Sequence, residues 1–137
     1  MKFDLIVKGG TVVTASDSYV ADIGIRAGKI AAVGELDSKG IETVDAKGMK
    51  VVPGGIDVHT HFDMPFMGAT TADDFTTGST GAVFGGTTTV VDFAIQKKGE
   101  TLRAALDTWH GKAHGKSAVD YAFHMIVVDL PEKNVSE

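Results

Sequence analysis

Apolar and polar positions follow two rhythms along the chain, and the change comes at Pro53. Before it, short β-branched runs alternate with glycine-rich breaks: Leu5-Ile6-Val7, Gly9-Gly10, Thr11-Val12-Val13-Thr14, then Ile23-Gly24-Ile25-Arg26, Ala27-Gly28 and Lys29-Ile30-Ala31-Ala32-Val33. Such runs between glycine pairs predict hairpins. Residues 43–45 and 50–52 continue the strand pattern, and Asp37-Ser38-Lys39-Gly40 reads as a loop. Residues 1–52 are therefore expected to be all-β.

After Pro53 the order becomes strand, helix, strand, helix, strand, the pattern of βαβ units on a parallel sheet. Residues 52–66 begin as an apolar run and end at Pro65 and Phe66, which fits a short strand entering a loop. Thr70-Thr71-Ala72-Asp73-Asp74 offers a capping hydroxyl and acidic first-turn residues, so a helix is expected over 73–84, stopped by Gly85-Gly86. Its Gly78, Ser79, Gly81 and Ala82 lower helix propensity but admit a close neighbour, and Gly85-Gly86-Thr87 has no P-loop lysine. The β-branched stretch 87–94 is the expected second strand. Leu102, Ala105, Leu106, Trp109 and Ala113 recur at helical spacing, with Gly115 as the stop. A third strand is expected over 122–128, ended by Leu130-Pro131.

Composition narrows the function classes. With 137 residues and 43% hydrophobic content, the chain suits a folded globular protein. A formal charge of -5 supplies no basic stripe, so no nucleic-acid partner is expected. The absence of cysteine excludes disulfides, thiolate metal ligands and a cysteine nucleophile. The apolar run near the N-terminus is short and interrupted by Asp4, and nothing later approaches a membrane span. The expectation is a cytoplasmic protein with no membrane partner.

The candidate chemistry lies in Asp57-Val58-His59-Thr60-His61. Residues two apart on a strand share a face, so Asp57, His59 and His61 are expected together, with Ile56, Val58 and Thr60 opposite. Two imidazoles on a rigid strand form half of a tetrahedral metal shell, and a nearby carboxylate can orient a ring. Two ligands are fewer than a site needs, so a polar strand end with solvated histidines is the alternative. His110 and His114 lack the glutamate of an HExxH helix and are expected at the surface. His124, in mid-strand, is expected to be a buried imidazole held by one hydrogen bond. Asp92 stands near a strand end, where barrel enzymes carry function, although helix or loop contacts explain it equally well.

Pro53-Gly54-Gly55-Ile56-Asp57-Val58-His59-Thr60-His61 resembles the first-strand signature of the amidohydrolase superfamily. The continuation through Phe62-Asp63-Met64-Pro65-Phe66, Thr71-Ala72-Asp73-Asp74-Phe75 and Gly85-Gly86-Thr87-Thr88-Thr89 is similar to the D-hydantoinase and dihydropyrimidinase family. The similarity extends through Glu100-Thr101-Leu102, Thr108-Trp109-His110 and Asp120-Tyr121-Ala122-Phe123-His124, essentially the whole chain. The resemblance implies an α/β fold: the start of a (β/α)₈ TIM-like barrel in 53–137, preceded in 1–52 by the N-terminal half of a composite β-sandwich domain. A complete barrel needs about 250 residues, so about three of eight strands are expected here and the chain reads as the N-terminal part of a longer enzyme.

The same resemblance implies a divalent metal, zinc, in a mononuclear or binuclear centre, with His59 and His61 on the more buried ion and Asp57 orienting an imidazole. A bridging carboxylated lysine, two further histidines and the aspartate that handles the water proton would come from beyond residue 137. No catalytic residue is then expected within the segment, and no activity from it alone. The first substrate loop corresponds to residues 62–72, with Phe62, Met64, Phe66 and Met67 forming an apolar wall beside the metals, or equally a hydrophobic anchor for the loop, and Asp63 among them. The implied activity is hydrolytic ring opening of a small cyclic imide or ureide, a hydantoin or dihydropyrimidine, by a full-length homotetramer. A dihydroorotase or allantoinase is the alternative within the class. Many dihydroorotases have arginine two residues beyond the second histidine to bind a substrate carboxylate; Asp63 there favours a neutral ring. A non-catalytic relative used for assembly is the other alternative, and retention of His59 and His61 argues against it.

Overall fold

The computed structural model describes residues 2–132 and 135, in two compact units, Met1–Pro53 and Gly54–Glu137. The first unit holds β1 (Leu5–Val13), β2 (Ser18–Arg26), β3 (Lys29–Gly34), β4 (Glu42–Asp45) and β5 (Lys50–Val51) in one sheet. The strand order is β3-β2-β1-β4, with β5 also pairing β1. Residues 5–13 do not break at Gly9-Gly10 as the hairpin pattern suggested. β1 runs on, and its register with β2 shifts between Val7 and Gly10 while Gly9 takes φ +69. The glycine pair makes a bulge, which needs a left-handed residue but no reversal. Ala27 and Gly28 do reverse the chain: both have positive φ, 50° and 72°, as a two-residue hairpin turn requires.

Asp22 ties the bulge down. Its Oδ1 accepts the Gly9 N–H at 2.8 Å, and its Oδ2 accepts Leu36 N–H at 3.0 Å and Lys8 Nζ at 3.1 Å. The Leu36 amide first, then the Gly9 amide and the Lys8 ammonium, hold this carboxyl below its ordinary value of 3.8. A carboxyl that is more acidic folded than unfolded stabilises the fold fully above its unfolded value, and that contribution is lost as pH falls through the folded value. The stability of this unit is therefore expected to fall with acid below about pH 4, with a shallower fall in Asp22→Asn, read as unfolding midpoint against pH. Among the described residues this unit is a single sheet, one face of which carries an apolar groove lined by Val12, Tyr19, Ile23, Ile30 and Val33. The second sheet that a sandwich requires is not among them.

The second unit contains β6 (Gly55–Thr60), β7 (Pro65–Phe66), β8 (Ala69–Thr70), α1 (Phe75–Phe84), β9 (Thr87–Ile95), α2 (Leu102–Ala113) and β10 (Asp120–Ile126). β6, β9 and β10 form a parallel sheet of order β10-β9-β6, and the helices connect successive strands. Alternate residues Val90, Asp92 and Ala94 of β9 are buried. Ala94 packs with Phe75 of α1 and Trp109 and Ala113 of α2, and Phe62, Tyr121, Phe123 and Met125 close in around them. The helices thus cover one face of the sheet. An α/β unit is present; three strands do not by themselves make a barrel.

Local chemistry explains where the elements depart from expectation. α1 starts at Phe75, not at residue 73, because Asp74 is itself the cap: its Oδ1 accepts the N–H groups of Thr76 and Thr77, both at 2.8 Å, while Thr77 Oγ1 accepts the Asp74 N–H at 3.1 Å. β10 lies two residues earlier than expected, over Asp120–Ile126, because it stays in register with β9 from Thr89 to Ile95. The loop after β6 contains a hairpin that the sequence pattern hid. β7 and β8 pair antiparallel around Met67 and Gly68, whose φ values are 49° and 82°, and Met64 and Thr71 close its base through their backbones.

Candidate metal centre

His59, His61, Phe93 and His124 cluster toward the C-terminal ends of the parallel strands. β9 alternates strictly, so Phe93 points away from the helix layer that buries Asp92 and Ala94. On that open face the His59 ring lies 4.5 Å and the His61 ring 5.0 Å from the Phe93 ring, centroid to centroid. The two imidazoles stand 5.0 Å apart and nearly perpendicular, at 89°. His59 is exposed, whereas His61 is half-buried and its Nδ1 is fully buried with no hydrogen-bond partner.

The strand carrying the pair is not regular. Asp57 pairs with Val90 and Thr60 with Asp92, so two residues, Val58 and His59, stand opposite the single Val91. This bulge corrects the expected alternation. Asp57 aligns with Val90, on the helix side, and does not share a face with the imidazoles. Its Oδ1 accepts the backbone N–H of His59 at 3.1 Å, so it holds the bulge rather than a ring.

Asp92 fixes the far end of the strand. Its Oδ2 accepts Thr60 Oγ1–H at 3.0 Å and Phe62 N–H at 2.7 Å, and its Oδ1 accepts Phe93 N–H at 2.7 Å. The carboxylate, completely buried, therefore grips the residues on both sides of His61. Of the two readings open to Asp92, loop anchoring is the one its contacts describe.

The loop residues part company. Phe62 is not in an apolar wall: its ring turns into the core, edge-on to Phe75 at 5.5 Å. Gly78 makes room for it, since a Cβ there would come within 2.3 Å of the Phe62 ring. Asp63, with φ 48°, turns its carboxylate toward α2, where Lys112 Nζ sits 3.5 Å from Oδ2 and donates to the Asp63 carbonyl at 2.5 Å. Lys112 also lies 4.5 Å over the Trp109 ring. Met64 is half-buried at the hairpin base, and Phe66 and Met67 are exposed at its turn, 59% and 91%.

Neither Phe93 nor Lys112 stood out in the sequence as a site residue. The period-two alternation of β9 could have assigned Phe93 to the open face; nothing local couples Lys112 to Asp63. His124 is corrected from buried to exposed, because it too lies on the open face, with its ring 4.9 Å from Phe93. It does make one hydrogen bond, Nε2 to the Val58 carbonyl at 3.1 Å. His110 is exposed and edge-on to Phe123 at 5.1 Å, and His114 is exposed at the end of α2.

The amidohydrolase family model matches residues 50–120, which contain the histidine pair, its bulge and the Asp92 anchor. The chain belongs to the amidohydrolase family. Within it, the D-hydantoinase of Geobacillus stearothermophilus is 51% identical over 133 residues, covering 96% of this chain and 28% of its own length. The dihydropyrimidinase of Rattus norvegicus is 43% identical over 135 residues, covering 94% of this chain and 26% of its own. A crystal structure of D-hydantoinase superposes with a TM-score of 0.92 at 51% identity, over 96% of this chain and 29% of that one. The chain therefore spans less than a third of the relatives it matches.

Amidohydrolases use divalent metals, and the residues present fit one in part. Neutral imidazoles are good ligands for such ions, and an orphaned ring nitrogen in a buried position is costly unless a cation or donor meets it. His61 Nδ1 is such an atom, with the His59 ring beside it. Among the described residues no third histidine or carboxylate is gathered closely enough to complete a site.

Proposed function

We propose that this chain is part of a metal-dependent cyclic amidase that opens the ring amide of a hydantoin or dihydropyrimidine. The observation that carries the reading is the His59–His61 pair, set by a bulge at the C-terminal end of a parallel strand and including a buried nitrogen without a partner. The likeness to D-hydantoinase over 96% of the chain supports the substrate class. His59 and His61 hold the ion, zinc in this reading. When bound, it supplies Lewis acidity that lowers the pKa of a water and polarises the ring carbonyl. Phe93 backs both imidazoles and limits their rotation, and Asp92 keeps the backbone on either side of His61 from shifting. The remaining ligands, including the carboxylated lysine, and the strands that close the barrel and the sandwich lie outside these 137 residues in this reading. The TM-score of 0.92 with D-hydantoinase supports a shared architecture over the 96% of this chain that it covers.

Preference for an uncharged ring follows from Asp63. The position that would offer an arginine to a substrate carboxylate holds an acid whose charge is compensated by Lys112, so no free cation is presented there. The test uses the full-length protein with hydantoin, dihydrouracil and dihydroorotate. Higher kcat/KM for the two neutral rings and loss of turnover on chelation are expected. A higher kcat/KM for dihydroorotate, or turnover indifferent to chelation, overturns the reading.

A further inference from the structure

We propose that His124 is a positioning residue for the histidine pair: its Nε2–H, donated across β9 to the Val58 carbonyl, holds the bulge that aims His59. The inference rests on the metal reading above and deepens it. Val58 and His59 are the two residues of the bulge, and each has a side chain on its backbone. Asp57 Oδ1 accepts the N–H of His59 at 3.1 Å, and His124 Nε2 reaches the carbonyl of Val58 at 3.1 Å. A carbonyl oxygen only accepts, so Nε2 carries a proton in this contact.

The route of this bond explains why it bears on the site. β10 and β6 are separated by β9, so the His124 ring crosses the central strand on the open face, over Phe93 at 4.9 Å. Phe93 in turn backs His59 at 4.5 Å. His124 therefore meets the bulge twice, through the Phe93 ring and through the Val58 carbonyl. Bulges re-aim the side chains they carry, and here the residue beside the gripped carbonyl is a metal ligand. A ring that merely filled space over Phe93 would not need a donor.

Two variants of the full-length protein separate these roles. His124→Phe keeps an aromatic ring over Phe93 and loses the donor; His124→Gln keeps a donor and loses the ring. Zn²⁺ affinity of the metal-depleted protein, measured by chelator competition, is expected to fall roughly 10–100-fold in His124→Phe, the range typical of lost outer hydrogen-bond partners. His124→Gln should recover to within a few-fold of the parent. Parent-like affinity in His124→Phe, or equal losses in both variants, overturns the proposal. His59→Ala is the control: if it also keeps parent affinity, the metal reading itself fails, whereas loss there without loss in His124→Phe removes only the role of His124. Imidazole nitrogen NMR on the metal-free parent gives a reading that does not depend on either variant folding. A proton on Nε2 of His124 is expected, and a neutral ring protonated on Nδ1 overturns the proposal.

Discussion

Alanine at His59 or His61 in the full-length protein is expected to remove bound metal and ring opening together. Losing a direct ligand should cost more than the roughly 100-fold that an outer partner costs, because each imidazole is half of what this strand contributes. The two variants should differ in stability. His59 is exposed, so with metal removed from every sample its alanine variant should lie closer to the parent in stability than that of His61. His61 is half-buried against Phe93, and truncating it also removes packing. Elemental analysis, a ring-opening assay and an unfolding curve on each variant check this; full metal occupancy with normal turnover in His59→Ala would refute the assignment.

Asp92→Ala is expected to give the largest loss of stability. Three donors converge on this buried carboxylate, the Phe62 and Phe93 amides and the Thr60 hydroxyl. Each donor left buried without an acceptor costs about 1–3 kcal/mol, so a total on the order of 3–5 kcal/mol follows after partial relaxation and water entry. Asp92→Asn should lie between, since one amide oxygen remains while the NH₂ group faces N–H donors. Because residues 60 and 62 bracket His61, metal affinity should weaken along the same series. Denaturant unfolding checks the first effect and chelator competition the second. A parent-like midpoint in Asp92→Ala would show that the three donors find water at no cost.

The order of elements was legible because it depends on patterns that are local. Alternating β-branched runs, the glycine breaks and the helical spacing of Leu102, Ala105, Trp109 and Ala113 each act within a few residues. The spacing of His59 and His61 likewise carried the candidate ligands, and both rings do meet on one face. Local reading went astray where one residue could serve two ends. Gly9-Gly10 suits a turn or a bulge equally, and only pairing with β2 decided it. Asp73 and Asp74 both looked like first-turn acids, until the geometry of Asp74 made it the cap.

Two-residue periodicity by itself determined that His59 and His61 share a face, and the lack of cysteine determined that these residues offer a metal no thiolate. The tertiary structure alone decided that Asp57 leaves that face, that Phe62 enters the core, that Asp63 answers to Lys112 and that Asp92 holds the strand end. The physical reason is the same in each case. A bulge is a mismatch in count between two strands, 57–60 against 90–92, and neither strand contains that information without its partner. A buried carboxylate or an exposed ring is likewise assigned by whichever donors the fold delivers to it, and His124 reaches Val58 from 66 positions away.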